Sequence, residues 1–399
     1  MIVDLHAHYP MHVVGRSRGS LWKQLRSREG RRLLNWRIKA ALVNFAGRFG
    51  NYRTFFSGPR VRIEYMQEGG VGVALSVLFS FFAEVDVVGG VEPGNYLDEL
   101  EAQRERVEED IESSHSGAAK IVANPEQLEE AHAAGKIALV HCVEGGFHLG
   151  STPSEVETSV NTLADRGVAY ITLAHLIWRE VATDAPALPW WSDSQYRHWL
   201  PQPEDEGLSD LGKAAVKAMV ERHVLIDLSH MSKRSIADTF ELLDALDGDS
   251  QEKTPVFFTH AGFRLGEQEY MPDRETVEEV HRRKGVIGLI MARHQIEDRI
   301  PKREKPPRLP RRSKLRFERS FGILCEHIEE IHCITGSYEN ISIGSDFDGF
   351  IKPTLAGLED MRDMATLERA LQKRFGAVAA NAICSGNAMR LLTTYWAGA

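Results

Sequence analysis

Cysteine is scarce in this chain and is not spaced as a scaffold. Its four thiols, Cys142, Cys325, Cys333 and Cys384, are spread over 399 residues without a C-x-x-C pair. That excludes a disulfide framework and leaves reduced thiols as the expectation. No run of about 18 apolar residues occurs, so no segment reads as a membrane span. The opening Met1-Ile2-Val3-Asp4-Leu5-His6 has neither the basic nor the apolar region of a secretory signal; a cytoplasmic protein without a membrane anchor is expected. Positive charge is also lacking overall: the net charge of -9 argues against a dedicated nucleic-acid binder. No G-x-G-x-x-G follows the first apolar run, which counts against a doubly wound dinucleotide fold. There is no internal repeat and no low-complexity segment.

The composition, 43% hydrophobic and 26% charged, is that of a globular protein with ample material for a core. Eight short apolar runs recur, at 2–5, 71–78, 137–143, 169–173, 224–228, 256–259, 286–291 and 341–344. Several are apolar throughout, as in parallel strands covered on both faces. Polar stretches long enough for helices lie between them, including 96–113, 154–166 and 208–222, the last with a Ser-Asp capping signal. This βα alternation predicts an α/β chain folded as one (β/α)8 TIM barrel over 1–399, with insertions in its βα loops.

Three insertions stand out. Between Arg16 and Arg60 there are twelve Arg or Lys and one acid, Glu29, interleaved with Leu and Trp. This predicts a basic helical insertion at about 14–62 whose charged face meets water. The stretch 182–206 has four prolines with Trp190, Trp191, Tyr196 and Trp199; the stretch 301–317 has four prolines and eight basic residues. Both read as loops after barrel strands, the first as either a pocket wall or a packed loop without a ligand role.

The chemistry lies at strand ends. His6 and His8 end the first run, Glu144 the third, His230 the fifth, His260 the sixth and Asp346 the eighth. In a barrel these ends meet on one rim. The period of two turns His6 and His8 to one side if the strand continues through Ala7. One histidine at a strand end is unremarkable, since such a side chain commonly packs or caps. Metal-competent residues at five ends point to a site of neutral imidazoles and carboxylates suited to zinc, with Glu144 able to bridge a pair of ions. His175 ends the fourth run and could bond a substrate or an oxyanion, and Arg264 could clamp a carboxylate.

The stretches Val143-Glu144-Gly145-Gly146, Ile226-Asp227-Leu228-Ser229-His230 and Gly344-Ser345-Asp346-Phe347-Asp348-Gly349, with Thr172-Leu173-Ala174-His175 and Thr259-His260, resemble the membrane (renal) dipeptidase family of zinc metallopeptidases, within the amidohydrolase-like barrel superfamily. The resemblance implies two zinc ions per chain, the first held by His6 and the residue at 8, the second by His230 and His260, with Glu144 between them. It places Asp346 in proton transfer and His175 against the substrate. Two positions depart from the family pattern: His8 stands where it has Asp, and Glu269, Tyr270 and Met271 stand where it has an arginine shortly before Pro272-Asp273.

The resulting expectation is hydrolysis of a dipeptide or related small amide by a hydroxide bridging two zinc ions. Its alternatives are an amidohydrolase acting on a lactone, a cyclic amide or another carboxylic derivative, and a non-catalytic binding protein on the same barrel. Any self-association is expected to be a homodimer.

Overall fold

A computed structural model describes residues 1–13, 45–80, 84, 94–188, 191–298 and 314–398. Among the described residues nine strands form one parallel sheet: β1 (Ile2–Ala7), β2 (Val71–Leu78), β3 (Ala119–Val122), β4 (Ile137–Glu144), β5 (Tyr170–Thr172), β6 (Leu225–Asp227), β7 (Val256–Ala261), β8 (Val286–Leu289) and β9 (Ile341–Ile343). Pairing runs β1-β2-β4-β5-β6-β7-β8-β9 and returns to β1, closing an eight-stranded barrel. All eight apolar runs become barrel strands. The added strand, β3, lies beside the first half of β4, from Ala119 opposite Ile137 to Val122 opposite Val140. The second half of β4 is left for β5, with Val143 opposite Ile171.

The period of two sorts the strand residues into two apolar clusters. Val3, Leu5, Leu75, Val140, Tyr170 and Phe257 join across the barrel with Leu391, Leu392 and Trp396. The residues between them, such as Ile2, Ala74, Leu139, Ile171 and Phe258, pack outward with Met66, Val160, Leu163 and Met219 of the helices. Burial on both faces is why these strands read as unbroken apolar runs. The expected helices form as Gly94–Asp110, Pro153–Asp165 and Asp210–Glu221. Ser209 caps the last one, its hydroxyl accepting from the N–H groups of Leu211 and Gly212.

Most of the basic insertion, 14–44, lies outside the described residues, as does 299–313. Of the described part of the insertion, 45–50 is helical and 51–62 is turns, bends and irregular chain. This part is tied to the end of the barrel after β9: the N–H groups of Arg60 and Val61 donate to Asp348 at 2.9 and 3.0 Å, and that of Lys352 donates to Gly50. Among the described residues no helix is long and apolar enough to cross a membrane.

Candidate metal centre

The two ends of the barrel sequence are joined at the rim. Asp346 N–H donates to the His6 carbonyl at 2.9 Å and His8 N–H to the Phe347 carbonyl at 3.1 Å. These bonds bring His6, His8 and Asp346 to one place: His8 Nε2 is 3.2 Å from His6 Nε2 and 3.1 Å from Asp346 Oδ1. His230 and Asp346 lie in the left-handed backbone region, with φ of 67° and 54°. That conformation costs a non-glycine residue roughly 1–2 kcal/mol, and such strain concentrates where a side chain must be aimed.

Glu144, the last residue of β4, is the hub. Its Oε1 lies 3.3 Å from His6 Nε2 and 3.7 Å from both His230 Nε2 and His260 Nε2. Its Oε2 lies 3.6 Å from His8 Nε2 and 3.5 Å from His175 Nε2. Glu144 thereby belongs to two groups of metal-competent residues, one with His6 and His8 and one with His230 and His260. All five are buried.

The arrangement fits cations. Two nitrogens on a tetrahedral zinc at 2.0–2.1 Å lie about 3.3 Å apart; the His6–His8 pair stands at 3.2 Å and the His230–His260 pair at 2.9 Å. Glu144 Oε2 is buried without a hydrogen-bond partner among the described residues. Burial, with neighbouring histidines, holds His230 and His260 well below the usual imidazole range, which leaves lone pairs available. Burial also opposes charge on Glu144, but His175 and His6 outweigh it and hold the carboxyl well below its ordinary range.

His175 differs from the other four histidines. Its Nδ1 donates to Glu84 Oε2 at 2.7 Å, and the backbone N–H groups of Leu176 and Ile177 donate to Glu84 Oε1. Burial opposes protonation, but Glu144 and Glu84 outweigh it and raise His175 to about 9. The sequence reading missed Glu84. Its one signal was an acid at the end of a stretch, 71–83, that has none.

A model of the membrane dipeptidase family (peptidase family M19) matches residues 44–396. The chain belongs to that family. Two Schizosaccharomyces pombe proteins, each named an uncharacterised dipeptidase, are 30% identical over 231 residues and 25% identical over 237, or 57% and 58% of this chain. The chain spans about half the length of these curated relatives, 45% and 46%. A Rhodobacter sphaeroides metallopeptidase solved with a phosphinate mimic of L-Ala-D-Ala shares the fold at TM-score 0.66, with 16% identity over 99% of both chains. The probable dipeptidase PvdM of Pseudomonas aeruginosa does so at 0.65, with 19% identity over 87% of this chain and 92% of its own.

In this member of the family the candidate ligands open onto a cavity of about 280 Å³. His8, Glu144, His175, His230 and Asp346 line its polar end, and Met11, Phe79, Leu176, Ile177, Leu188 and Ile351 its apolar wall. Leu188 and Ala187 come from the Trp-rich loop, which is thus in part a pocket wall; Tyr196 of that loop is buried and Trp199 exposed. Trp190 lies outside the described residues. Arg264 does not line this cavity. Its Nε and Nη2 donate to the carbonyls of Met271 and Glu269, both at 2.9 Å, bracing the loop after β7. Tyr270, where the family arginine was looked for, is buried and donates to the His260 carbonyl.

The final glycine of G-S-D-F-D-G has a steric reason. A Cβ on Gly349 would overlap Asp346 Oδ1 and stand 2.7 Å from His8 Nε2. The Gly349→Ala variant is therefore expected to bind divalent metal about 10- to 100-fold more weakly, as for other losses of ligand support. Metal content after dialysis checks this, and undiminished content would show that the two side chains can yield.

Proposed function

We propose that this chain hydrolyses the peptide bond of a dipeptide or similar small amide, using two zinc ions that share Glu144. The observation that carries the reading is the membership of Glu144 in both ligand groups. Four imidazoles with two carboxylates suit zinc over harder cations. Zinc bound there supplies an acidified water and polarises the scissile carbonyl.

The chain's own side chains do the rest. Glu84 holds the His175 ring by Nδ1, leaving Nε2 to donate to the carbonyl oxygen as negative charge develops on it. Burial raises the Asp346 carboxyl, so this group takes up a proton readily and passes it to the leaving amine. The apolar wall excludes water and accepts the substrate's side chains. Family membership supports the reading, as does the dipeptide mimic bound by the Rhodobacter sphaeroides relative.

One observation favours a second reading: the described residues lining the cavity include no Lys or Arg for a substrate carboxylate. A lactone or cyclic amide needs no such cation. Zinc per chain, measured by emission spectrometry on protein purified without chelator, is expected near two. A panel of dipeptides, lactones and cyclic amides is assayed on the same sample. Turnover of dipeptides supports the first reading and turnover confined to lactones or cyclic amides the second. Failure to take up zinc removes both and leaves a binding protein.

A further inference from the structure

We infer that Thr259, held by Asp227, is a positioning residue that sets the tautomer of His260, so that the cation position of His230 and His260 depends on one hydroxyl. The inference rests on the two-zinc reading and concerns how its ligands are prepared.

Asp227, His6 and His260 also lie close enough to form a third metal-competent group. Asp227 is not free to serve in it. Its Oδ1 accepts the backbone N–H groups of Ser229 and Thr259, each at 3.0 Å. Its Oδ2 accepts the hydroxyls of Thr172 at 2.6 Å and Thr259 at 2.7 Å. A carboxylate offers about four lone-pair sites, and all are taken. Asp227 acts as an anchor, and strand register puts it there, with Thr172 directly opposite on β5.

The proton count then determines the rest. The Thr259 hydroxyl has one proton, and the short bond to Asp227 uses it. Toward its other neighbours Thr259 Oγ1 can only accept, and these are His260 Nδ1 at 2.8 Å, His6 Nδ1 at 3.1 Å and the Ser229 hydroxyl at 3.3 Å. The His260 ring therefore carries hydrogen on Nδ1 and keeps an unshared pair on Nε2, the nitrogen that faces Glu144. His6 Nδ1 has a second and nearer partner, the Tyr170 hydroxyl at 2.8 Å, which can donate or accept, while among the described residues His260 Nδ1 relies on Thr259. The Thr259 backbone is held fast: a Cβ on Gly288 or Gly344 would overlap its carbonyl, so β8 and the residue after β9 approach β7 as closely as backbone allows.

The test compares Thr259→Val, which keeps the shape and loses the hydroxyl, with Thr259→Ser, which keeps it. Zinc affinity of the full chain is measured by competition against a chromophoric chelator. Valine is expected to weaken the position of His230 and His260 by about 10- to 100-fold and the other position by less, and serine to stay within about threefold of wild type. Unchanged affinity in the valine variant, loss at the His6 and His8 position alone, or an equal loss in the serine variant would overturn the inference. If Thr259→Val does not fold, ring ¹⁵N signals of zinc-loaded wild type decide. Hydrogen on Nδ1 of His260 supports the assignment, and its absence refutes it. Wild type that takes up no zinc refutes the two-zinc reading itself, an outcome distinct from a variant-specific loss.

Discussion

Replacing Glu144 by Gln is expected to leave less than one zinc per chain and to lower kcat/KM by about 10³-fold or more. Gln has the size and shape of Glu, so the buried cavity stays filled, but its amide nitrogen cannot ligate a cation and carries no charge. The lost charge faces His6, His8, His175, His230 and His260 within 3.3 to 3.7 Å. A buried cation without its counter-charge is costly by several kcal/mol, and about 4 kcal/mol already corresponds to a thousandfold. Because Glu144 belongs to both ligand groups, the loss should fall on both positions at once. Zinc content and steady-state kinetics on one preparation check this, with a thermal melt to show that the variant folds. Full zinc content in the Gln variant would exclude Glu144 as the shared ligand.

The barrel was legible because its strands are buried on both faces. Each run long enough to show this became a strand, although the ends moved: the run at 169–173 shortened to Tyr170–Thr172. β3 escaped because it has four residues, Ala-Lys-Ile-Val, of which Lys120 and Ile121 are half-buried. A half-covered strand beside the barrel has neither the length nor the apolar continuity that marked the others. The helical reading of the basic insertion meets the structure over 45–50 alone, and 14–44 lies outside the described residues.

The candidate site was legible where chemistry coincides with strand ends. His6, His8, Glu144, His230, His260 and Asp346 converge because the barrel places those ends on one rim. His6 and His8 do turn to the same side, since β1 continues through Ala7. What sequence alone could not supply depends on loop paths and register. Glu84 reaches His175 across 91 positions of chain from the segment after β2. Asp227 and Thr259 stood within noticed motifs, but their roles follow from which strand atoms face each other. Arg264 had the right charge near the right strand, and its loop uses that guanidinium for its own carbonyls.

Asp346→Asn separates ligation from proton transfer. Asn keeps an oxygen that can stand where Oδ1 now lies, 3.1 Å from His8 Nε2, but it cannot take up and release a proton. Neither of the two groups around Glu144 includes Asp346, so each retains three ligands in the variant. Zinc content is expected to stay near the wild-type value while kcat falls by about 10²- to 10⁴-fold, the usual range for a lost general acid or base. A pH profile adds an independent sign. Burial raises the Asp346 carboxyl above its ordinary value, partly offset by His8 and His6. If the ionised form must accept the proton, activity rises with pH through that shifted value, and the variant's residual activity should lack this limb. Loss of zinc together with activity would make Asp346 primarily a ligand. Preserved turnover with the acid limb intact would assign the proton to another group, for which His175 is placed: it lines the cavity, contacts Glu144 and has Glu84 as a carboxylate partner.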